Sequence, residues 1–271
     1  MRGNVGFPFA PSQRLAVVTG GGSGIGRALG ALLAARGVRH VALLDVQEAA
    51  AQRAAEEINA EANSVKASAL RVDVTDERAL LEVVATLEER HGPIELFCSN
   101  AGINRGRGLG QTEDWRAVLD VNLMAHVNAA RCVIPRMAAR GAGHFVITAS
   151  AAGLLTDLRS APYAASKHAA VGLAEWLAIT HEADGISVSC VCPEGVKTAM
   201  TSSDSQNAAD GLGFIEASTA AEIILEGVEG GRFLILPHPR VAEFEARRAN
   251  DRERWLNGMR RARQRLAPER T

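Results

Sequence analysis

A tyrosine and a lysine four residues apart could form a proton-transfer pair. On a helix, the spacing of Tyr163 and Lys167 places both side chains on one face. A free tyrosine holds its proton until about pH 10, too tightly for a base near neutrality. A neighbouring ammonium favours the phenolate, so we expect Lys167 to lower the pKa of Tyr163. Ser150, thirteen residues upstream, could face the same pocket from the end of a strand.

The Tyr-x-x-x-Lys pattern alone is also compatible with a solvated helix face, so the rest of the chain must decide. The 271 residues are 47% hydrophobic but only 4% aromatic, and the core must therefore consist of Ala, Val, Leu and Ile. This aliphatic bias is typical of helices packed on a parallel sheet, and the length suits one large α/β domain. The formal net charge of −1 gives no reason to expect nucleic acid or an anionic membrane as a partner.

The cysteines and the N-terminus indicate the compartment. The four cysteines lie in apolar surroundings without metal-ligand spacing, so we interpret them as buried thiols and expect no metal site. The N-terminus lacks the apolar core of a signal peptide, and no apolar run approaches membrane-spanning length. We therefore expect a cytoplasmic protein without membrane contacts.

A glycine-rich turn between a predicted strand and a predicted helix is typical of a dinucleotide site. The apolar run 15–19 predicts a buried strand, and a helical pattern continues to Arg36 after the turn. Glycines let the backbone approach a pyrophosphate, while a helix N-terminus offers free N–H groups and a positive dipole end. A merely flexible turn would not require these flanking elements. The candidate cofactor contacts in the turn are Gly20, Ser23, Gly24, Ile25 and Gly26.

An acid ends the second predicted strand, His40–Asp45, nineteen residues after Gly26. The Asp45 carboxylate can accept hydrogen bonds from both ribose hydroxyls of an adenosine, and it would repel a 2′-phosphate. The sequence therefore favours NAD over NADP as the cofactor. The alternative is that Asp45 only caps the helix that follows.

A second acid follows the third predicted strand, 66–72. There the Asp73 side chain and the adjacent N–H of Val74 could contact the adenine edge of the cofactor. Asp73 could equally cap the helix that begins near Asp76. Both possibilities remain open from the sequence.

Small residues and a buried amide surround the end of the fourth predicted strand, Ile94–Ser99. The strand is followed by residues that leave room for a cofactor ribose: Asn100, Ala101 and Gly102. A long helix is predicted from about Glu113 to Arg140, and it contains Asn122 among apolar neighbours. Taken alone, a mid-helix asparagine more often donates a hydrogen bond to a local backbone carbonyl than takes part in catalysis.

The remaining pattern alternates strands and helices up to residue 237. The fifth strand, 143–148, delivers Ser150, and a helix from Tyr163 to about Glu182 carries an Ala-rich face that could contact a second subunit. Further elements are predicted at 186–191 (strand), 217–227 (helix) and 232–236 (strand). Residues 199–215 are predicted to form a mobile loop over the pocket.

The chain divides by pattern into a leader (1–12), a single domain (13–237) and a helical extension (238–271). The extension holds ten arginines partly balanced by acids. Its apolar residues Trp255, Met259 and Leu266 recur at near-helical spacing, which favours a helix docked on its own body or on a second subunit. The domain is predicted to be α/β, a doubly wound Rossmann-like fold with a seven-stranded, mainly parallel sheet. Its ligands should bind at the carboxyl ends of the strands.

The ordered motifs together resemble the short-chain dehydrogenase/reductase family, in its ordinary-length branch. The resemblance covers residues 14–236 and rests on Thr19-Gly-x-x-x-Gly-x-Gly26, Asp73, Asn100-Ala-Gly102, Asn122, Ser150 and Tyr163-x-x-x-Lys167. It implies that Tyr163 is the catalytic acid/base and that Lys167 lowers its pKa while binding the nicotinamide ribose. It also implies that Ser150 holds the substrate oxygen and that Asn122 supports a proton relay through Lys167.

The segment after the sixth strand departs from the family pattern. The family has Pro-Gly there, whereas Glu194 separates Pro193 from Gly195 in this chain. Val196 and Thr198 still match the family's contacts to the cofactor carboxamide and phosphate. For Glu194 itself, a side chain pointing to solvent is favoured over a polar contact in the substrate pocket.

The resemblance implies an NAD-dependent oxidoreductase that acts on a secondary alcohol or ketone, as a homodimer or homotetramer. Apolar candidates for the substrate pocket (Leu154, Leu155, Leu158 and Met200) favour a hydrophobic or cyclic substrate. One alternative is a non-catalytic dinucleotide-binding regulator, which would not need the whole set of polar residues. Another is an epimerase or dehydratase of the same family, for which a larger C-terminal substrate domain is usual.

Overall fold

The computed structural model describes residues 15–61, 66–201 and 213–266. The predicted leader 1–12 and residues 202–212 of the predicted loop lie outside this part of the chain. The described strands are β1 (Leu15–Thr19), β2 (His40–Asp45), β3 (Lys66–Arg71), β4 (Ile94–Ser99), β5 (Gly143–Thr148), β6 (Ile186–Val191), β7 (Val196–Lys197), β8 (Ile215–Glu216) and β9 (Leu234–Ile235). The α-helices are α1 (Gly24–Ala35), α2 (Glu48–Glu61), α3 (Glu77–His91), α4 (Thr112–Leu119), α5 (Ala125–Ala139), α6 (Ala161–His181), α7 (Ala217–Glu229), α8 (Arg240–Asn250) and α9 (Arg252–Leu266).

Seven strands form one parallel sheet in the order β3-β2-β1-β4-β5-β6-β9. This arrangement confirms the predicted doubly wound, Rossmann-like α/β fold. The order of the strands reverses between β1 and β4, and their carboxyl ends open a crevice at this switch point. The strands β7 and β8 form a separate two-stranded sheet, which the sequence pattern does not indicate.

The core lies on both faces of the sheet, because β1 is buried on both sides along its whole length. Val17 belongs to the apolar cluster that includes side chains of α3, α5 and α6. Val18 belongs to the cluster on the opposite face, with side chains of α1, α2 and α7. Strands enclosed in this way read as continuous aliphatic runs, as the composition predicted.

The predicted long helix over residues 113–140 is interrupted. After α4, residues Asp120–Met124 form a π-helical segment, and α5 follows without a break in the chain direction. π-Helical segments inside α-helices occur frequently at functional sites, and this one contains Asn122. Contrary to the expectation that no apolar run approaches membrane-spanning length, the stretch Thr112–Ala139 is long and apolar enough to cross a membrane by length and composition. However, 56% of its most apolar window is buried inside the fold.

The C-terminal extension forms two helices, α8 and α9, which meet at Asp251. Val241 is fully buried, and Phe244 and Trp255 pack against the main core cluster. The two aromatic rings lie 6.2 Å apart, so they tie α8 to α9. The extension therefore docks on the body of its own chain.

Candidate active site

The turn between β1 and α1 has a backbone that only glycine can supply. Gly20 and Gly24 adopt positive φ angles of 65° and 52°. A Cβ atom on Gly26 would lie 2.2 Å from the Gly20 carbonyl oxygen, so α1 approaches the end of β1 directly. Ser23 precedes α1, and its side chain makes no capping hydrogen bond. The first N–H groups of α1 are thus arranged to receive an anion such as a pyrophosphate.

Asp45 lies across this turn from β2. Its Oδ2 atom accepts a hydrogen bond from the Gly22 N–H at 2.9 Å, and Oδ1 accepts one from the Gln47 N–H at 2.9 Å. The second bond stabilises the chain that enters α2, in line with the capping alternative. The first bond, however, fixes the carboxylate against the glycine turn. Helix capping alone therefore does not account for the position of Asp45.

Asp73 closes a local turn. Its Oδ1 atom accepts hydrogen bonds from the Thr75 N–H at 2.9 Å and the Thr75 hydroxyl at 2.7 Å. The cap of α3 is Asp76, whose side chain accepts from the Ala79 N–H, so the alternative that Asp73 caps this helix is wrong. Asn128 donates to the carbonyl oxygen of the buried Val74 at 3.3 Å, which holds this segment against α5.

The ends of β1 and β4 are joined through Thr19, the first residue of the glycine motif, for which no contact was predicted. Its hydroxyl oxygen accepts from the N–H groups of Asn100 at 2.9 Å and Ala101 at 3.0 Å. The Asn100 side chain donates in return to the Thr19 carbonyl at 3.1 Å. Its position as the last strand residue before the glycine turn was the available signal. These bonds set the width of the crevice at the switch point.

Asn122 is fully buried and holds the loop after β4. Its Oδ1 atom accepts from the Ile103 N–H at 2.8 Å, and Nδ2 donates to the Ile103 carbonyl at 2.9 Å and to Ser166 Oγ at 3.1 Å. The backbone partner is nineteen residues away, so the predicted alternative of a local carbonyl is wrong. A Cβ atom on Gly102 would lie 3.3 Å from Asn122 Oδ1 and 3.4 Å from Lys167 Nζ, which places all three residues together.

Ser150, Tyr163 and Lys167 meet at the end of β5. Ser150 is buried at the start of a short 3₁₀ helix, where its Oγ atom accepts from the Ala152 N–H at 3.1 Å. Tyr163 lies in the first turn of α6, which begins at Ala161 because the Ser160 hydroxyl caps it. Lys167 Nζ lies 5.8 Å from the centre of the Tyr163 ring.

The carbonyl oxygen of Thr148 fixes the position of the lysine. Lys167 Nζ donates to it at 2.9 Å, and the side chain is only 3% exposed. Burial lowers the pKa of Lys167 to about 8. The ammonium is therefore held in a dry environment that disfavours its charge.

The pKa of Tyr163 moves against the prediction. Burial raises it, and a side-chain hydrogen bond with Ser150 opposes the increase. Contrary to the lowering expected from Lys167, desolvation of the phenol is the largest cause of the shift and raises the pKa. Beneath these residues, burial and the charge of Lys167 lower the pKa of His126 to about 3, and His126 Nδ1 hydrogen-bonds Ser99 Oγ at 2.7 Å. The fold keeps this histidine neutral.

The segment after β6 closes the site from the other side. The Pro193 carbonyl accepts from the Ala151 N–H at 2.8 Å and from the Ser150 hydroxyl at 3.4 Å. Val196 lies in β7, and a Cβ atom on Gly195 would lie 3.0 Å from the ring of Phe214.

Two side chains of this segment make contacts across the site. A Cβ atom on Gly24 would lie 3.0 Å from Thr198, which brings Thr198 to the N-terminus of α1. The Glu194 carboxylate accepts from Arg240 Nε at 2.6 Å, and its side chain is only 18% exposed. The prediction that Glu194 points to solvent is therefore wrong, because the C-terminal extension supplies its counter-ion.

The predicted substrate-pocket residues do not share one environment. Leu154 and Leu155 are buried in the core cluster, whereas Met200 is 46% exposed. Leu155 and Leu158 line a cavity beside α9. The catalytic and cofactor candidates, in contrast, gather at the carboxyl edge of the sheet as predicted. With its glycine turn, fixed carboxylate and small residues after β4, this edge fits a nicotinamide dinucleotide.

Comparison with known proteins agrees with this geometry. The family model described as "short chain dehydrogenase" matches residues 14–209. The chain belongs to the short-chain dehydrogenase/reductase family. Members of this family bind nicotinamide cofactors, and the relatives below are oxidoreductases of hydroxyl or ketone groups.

Similar proteins match most of the chain. It is 37% identical over 226 residues to 1-deoxy-11-beta-hydroxypentalenate dehydrogenase of Streptomyces avermitilis, covering 81% of this chain and 83% of that protein. It is 34% identical over 197 residues to cyclohexanol dehydrogenase of an Acinetobacter species, covering 70% and 75%. The crystal structure of a short-chain dehydrogenase/reductase from Burkholderia phymatum in complex with NAD superposes with a TM-score of 0.81 at 30% identity, covering 90% and 96%. This short-chain dehydrogenase/reductase is therefore an alcohol-oxidising or ketone-reducing enzyme by family.

Proposed function

We propose that the protein transfers hydride between NAD and a hydrophobic or cyclic secondary alcohol or ketone. The observation that carries this proposal is the meeting of Ser150, Tyr163 and Lys167 at the carboxyl end of β5, on the same edge of the sheet as the glycine turn. A base, a hydroxyl donor and a cation in this arrangement suit removal of a hydroxyl proton.

The chain's own residues account for the proton and for the developing charge. Tyr163 takes the hydroxyl proton of the alcohol at its phenolic oxygen, while Ser150 donates to the developing alkoxide. A protonated Lys167, held by the Thr148 carbonyl, stabilises the phenolate. A bound oxidised nicotinamide would supply the hydride acceptor and a positive charge that favours the phenolate. Asn122 keeps the loop after β4 and the helix of Lys167 in register.

The preference for NAD over NADP rests on Asp45. Its carboxylate is fixed against the glycine turn by the Gly22 N–H, at the place where an adenosine ribose would lie. Two ribose hydroxyls could donate to it, whereas a 2′-phosphate would meet a like charge. We assign the remaining cofactor contacts to the other candidate residues: Gly20, Ser23, Gly24, Ile25, Gly26, Asp73, Val74, Asn100, Ala101, Gly102, Tyr163, Lys167, Pro193, Gly195, Val196 and Thr198.

The proposed substrate class draws on the relatives and on the apolar residues after Ser150. Cyclohexanol and the hydroxypentalenate are named as substrates of two similar proteins. Both names describe secondary or polycyclic alcohols, so a panel of cyclic secondary alcohols is the first choice for assay.

We also propose a homodimer or homotetramer that acts in the cytoplasm. Two large apolar side chains of α6 are exposed on the single chain, Trp176 by 59% and Ile179 by 80%. A second subunit packed on this helix would bury them. Light scattering after size exclusion measures the molar mass, and a monomer at all concentrations would contradict this proposal.

Tyr163→Phe tests the proposed function. The variant keeps the ring but removes the group that takes the proton, so we expect turnover to fall by about 10²–10⁴-fold or more. NADH binding, followed by fluorescence titration, should stay within a few-fold of the wild type. Ser150→Ala should lose less, because the phenol remains. Full activity of Tyr163→Phe with any alcohol that the wild type oxidises would refute the role of Tyr163.

A further inference from the structure

A cavity of about 590 Å³ lies between the catalytic domain and α9. Its apolar wall comes from Leu155 and Leu158 on one side and from Trp255 and Met259 on the other. This volume lies within the range of about 300–1,000 Å³ that is usual for small-molecule sites. The cavity is therefore large enough for an organic ligand.

The cavity is separate from the reacting groups but shares a wall with them. None of Ser150, Tyr163 or Lys167 is among the described residues that line it. Its wall includes His168, the neighbour of Lys167, and Thr156, six residues after Ser150. Thr156 has a φ angle of 133°, which is strained for a β-branched residue and is often found where a segment serves a site.

Four arginines surround the apolar wall: Arg248, Arg252, Arg260 and Arg263. No Asp or Glu is among the described residues that line the cavity. Within the described part of the chain, none of the four guanidinium groups forms an ion pair with a carboxylate. Elsewhere on the same two helices, Arg240 and Arg247 do pair with glutamates. The positive charge at the cavity is thus not compensated by its own wall.

Arg248 contacts α6, the helix that carries Tyr163 and Lys167. Arg248 approaches His168 Nε2 at 3.4 Å, while His168 Nδ1 lies 2.8 Å from the Ala164 carbonyl oxygen. Because the carbonyl only accepts and the guanidinium only donates, the two contacts fit a ring that donates from Nδ1 and accepts at Nε2. Burial and the charge of Arg252 lower the pKa of Arg248, whereas Glu245 raises it. The guanidinium therefore lies in a partly desolvated position, where an anionic partner gains most.

We propose that this cavity is a binding site for an amphipathic anion, an apolar molecule that ends in a carboxylate. The apolar body would contact Leu155, Leu158, Trp255 and Met259, and the carboxylate would meet the arginines at the rim. Guanidinium forks match carboxylates in bidentate geometry, so the four arginines suit a carboxylate. This inference goes beyond the proposed redox reaction and does not depend on it.

The test is calorimetric titration of the full chain with sodium octanoate, and with octan-1-ol as its uncharged analogue. The variant Arg252→Gln/Arg263→Gln removes two charges from the cavity. The matched control Arg254→Gln/Arg261→Gln removes two charges from the same helix at positions that do not line the cavity. These arginines are exposed, so both variants should fold.

We expect octanoate to bind the wild type at least tenfold more tightly than octanol. The cavity variant should lose most of this difference, and the control variant should keep it within twofold. If octanoate competes with an alcohol that the enzyme oxidises, the carboxylate belongs to the substrate itself. If octanoate leaves the KM for that alcohol unchanged, the carboxylate belongs to a separate ligand. Either result supports the site. Absence of octanoate binding, or an equal loss in both double variants, would overturn the proposal. If the cavity variant alone then changed the molar mass in light scattering, the surface would belong to a second copy of the chain.

Discussion

Replacing Asn122 by alanine tests whether the buried amide holds the site together. Asn122 brackets the backbone of Ile103, accepting from its N–H and donating to its carbonyl, and also donates to Ser166. Ser166 precedes Lys167 on α6, and Ile103 follows the small residues at the end of β4. Alanine in place of Asn122 would disconnect the cofactor side of the crevice from the helix that carries the proton-transfer groups.

The magnitude follows from the groups left without partners. An unsatisfied buried donor or acceptor costs about 1–3 kcal/mol, and the Ile103 N–H and carbonyl are partly buried, so we expect a loss of about 2–4 kcal/mol in unfolding free energy. A displacement of reacting groups by about 1 Å can lower turnover on the order of 10²-fold, and we expect a loss of that size in kcat.

Asn59 supplies a matched control, because its side chain also forms two hydrogen bonds with the backbone of one distant residue. It accepts from the Ala67 N–H at 2.7 Å and donates to the Ala67 carbonyl at 2.9 Å, between α2 and β3. Asn59 is exposed, so Asn59→Ala should lose only about 0.5–1.5 kcal/mol and should keep its kcat. Urea denaturation and steady-state kinetics measure both quantities. Equal losses of stability and kcat in the two variants would refute the reasoning.

Two further predictions concern Asp45 and Lys167. Asp45→Ala should shift the ratio of kcat/KM for NAD to kcat/KM for NADP at least tenfold towards NADP, because a like-charge repulsion of about 1–4 kcal/mol is removed. Glu48→Gln, at an exposed position, is the control. An unchanged ratio in Asp45→Ala would contradict the role of Asp45. Burial lowers the pKa of Lys167 from 10.5 to about 8, so between these pH values the unfolded chain binds more protons than the folded chain. The unfolding free energy of the wild type should therefore rise with pH relative to that of Lys167→Met. Urea denaturation from pH 7 to 10.5 should show a gain of up to about 3 kcal/mol, and parallel curves for the two proteins would exclude this effect.

Local pattern was sufficient to predict the seven strands of the sheet, the glycine turn and the pairing of Tyr163 with Lys167. These features depend on neighbours within a few residues: aliphatic runs form buried strands, glycine permits positive φ, and a spacing of four defines one helix face. Parallel strand order then brings their carboxyl ends to one edge. The family's motifs lie on these same elements.

Long-range contacts decided the features that the sequence left open or indicated wrongly. Asn122 finds its partner nineteen residues away from within a π-helical segment, and Glu194 finds Arg240 in an extension outside the family pattern. The pKa of Tyr163 depends on how much water the fold removes from the phenol, and burial is the largest cause of its increase. The burial of a group and its ion pairs depend on every element that packs around it. Spacing along the chain predicts which groups share an edge of the sheet, but their charge states depend on what the complete fold packs around them.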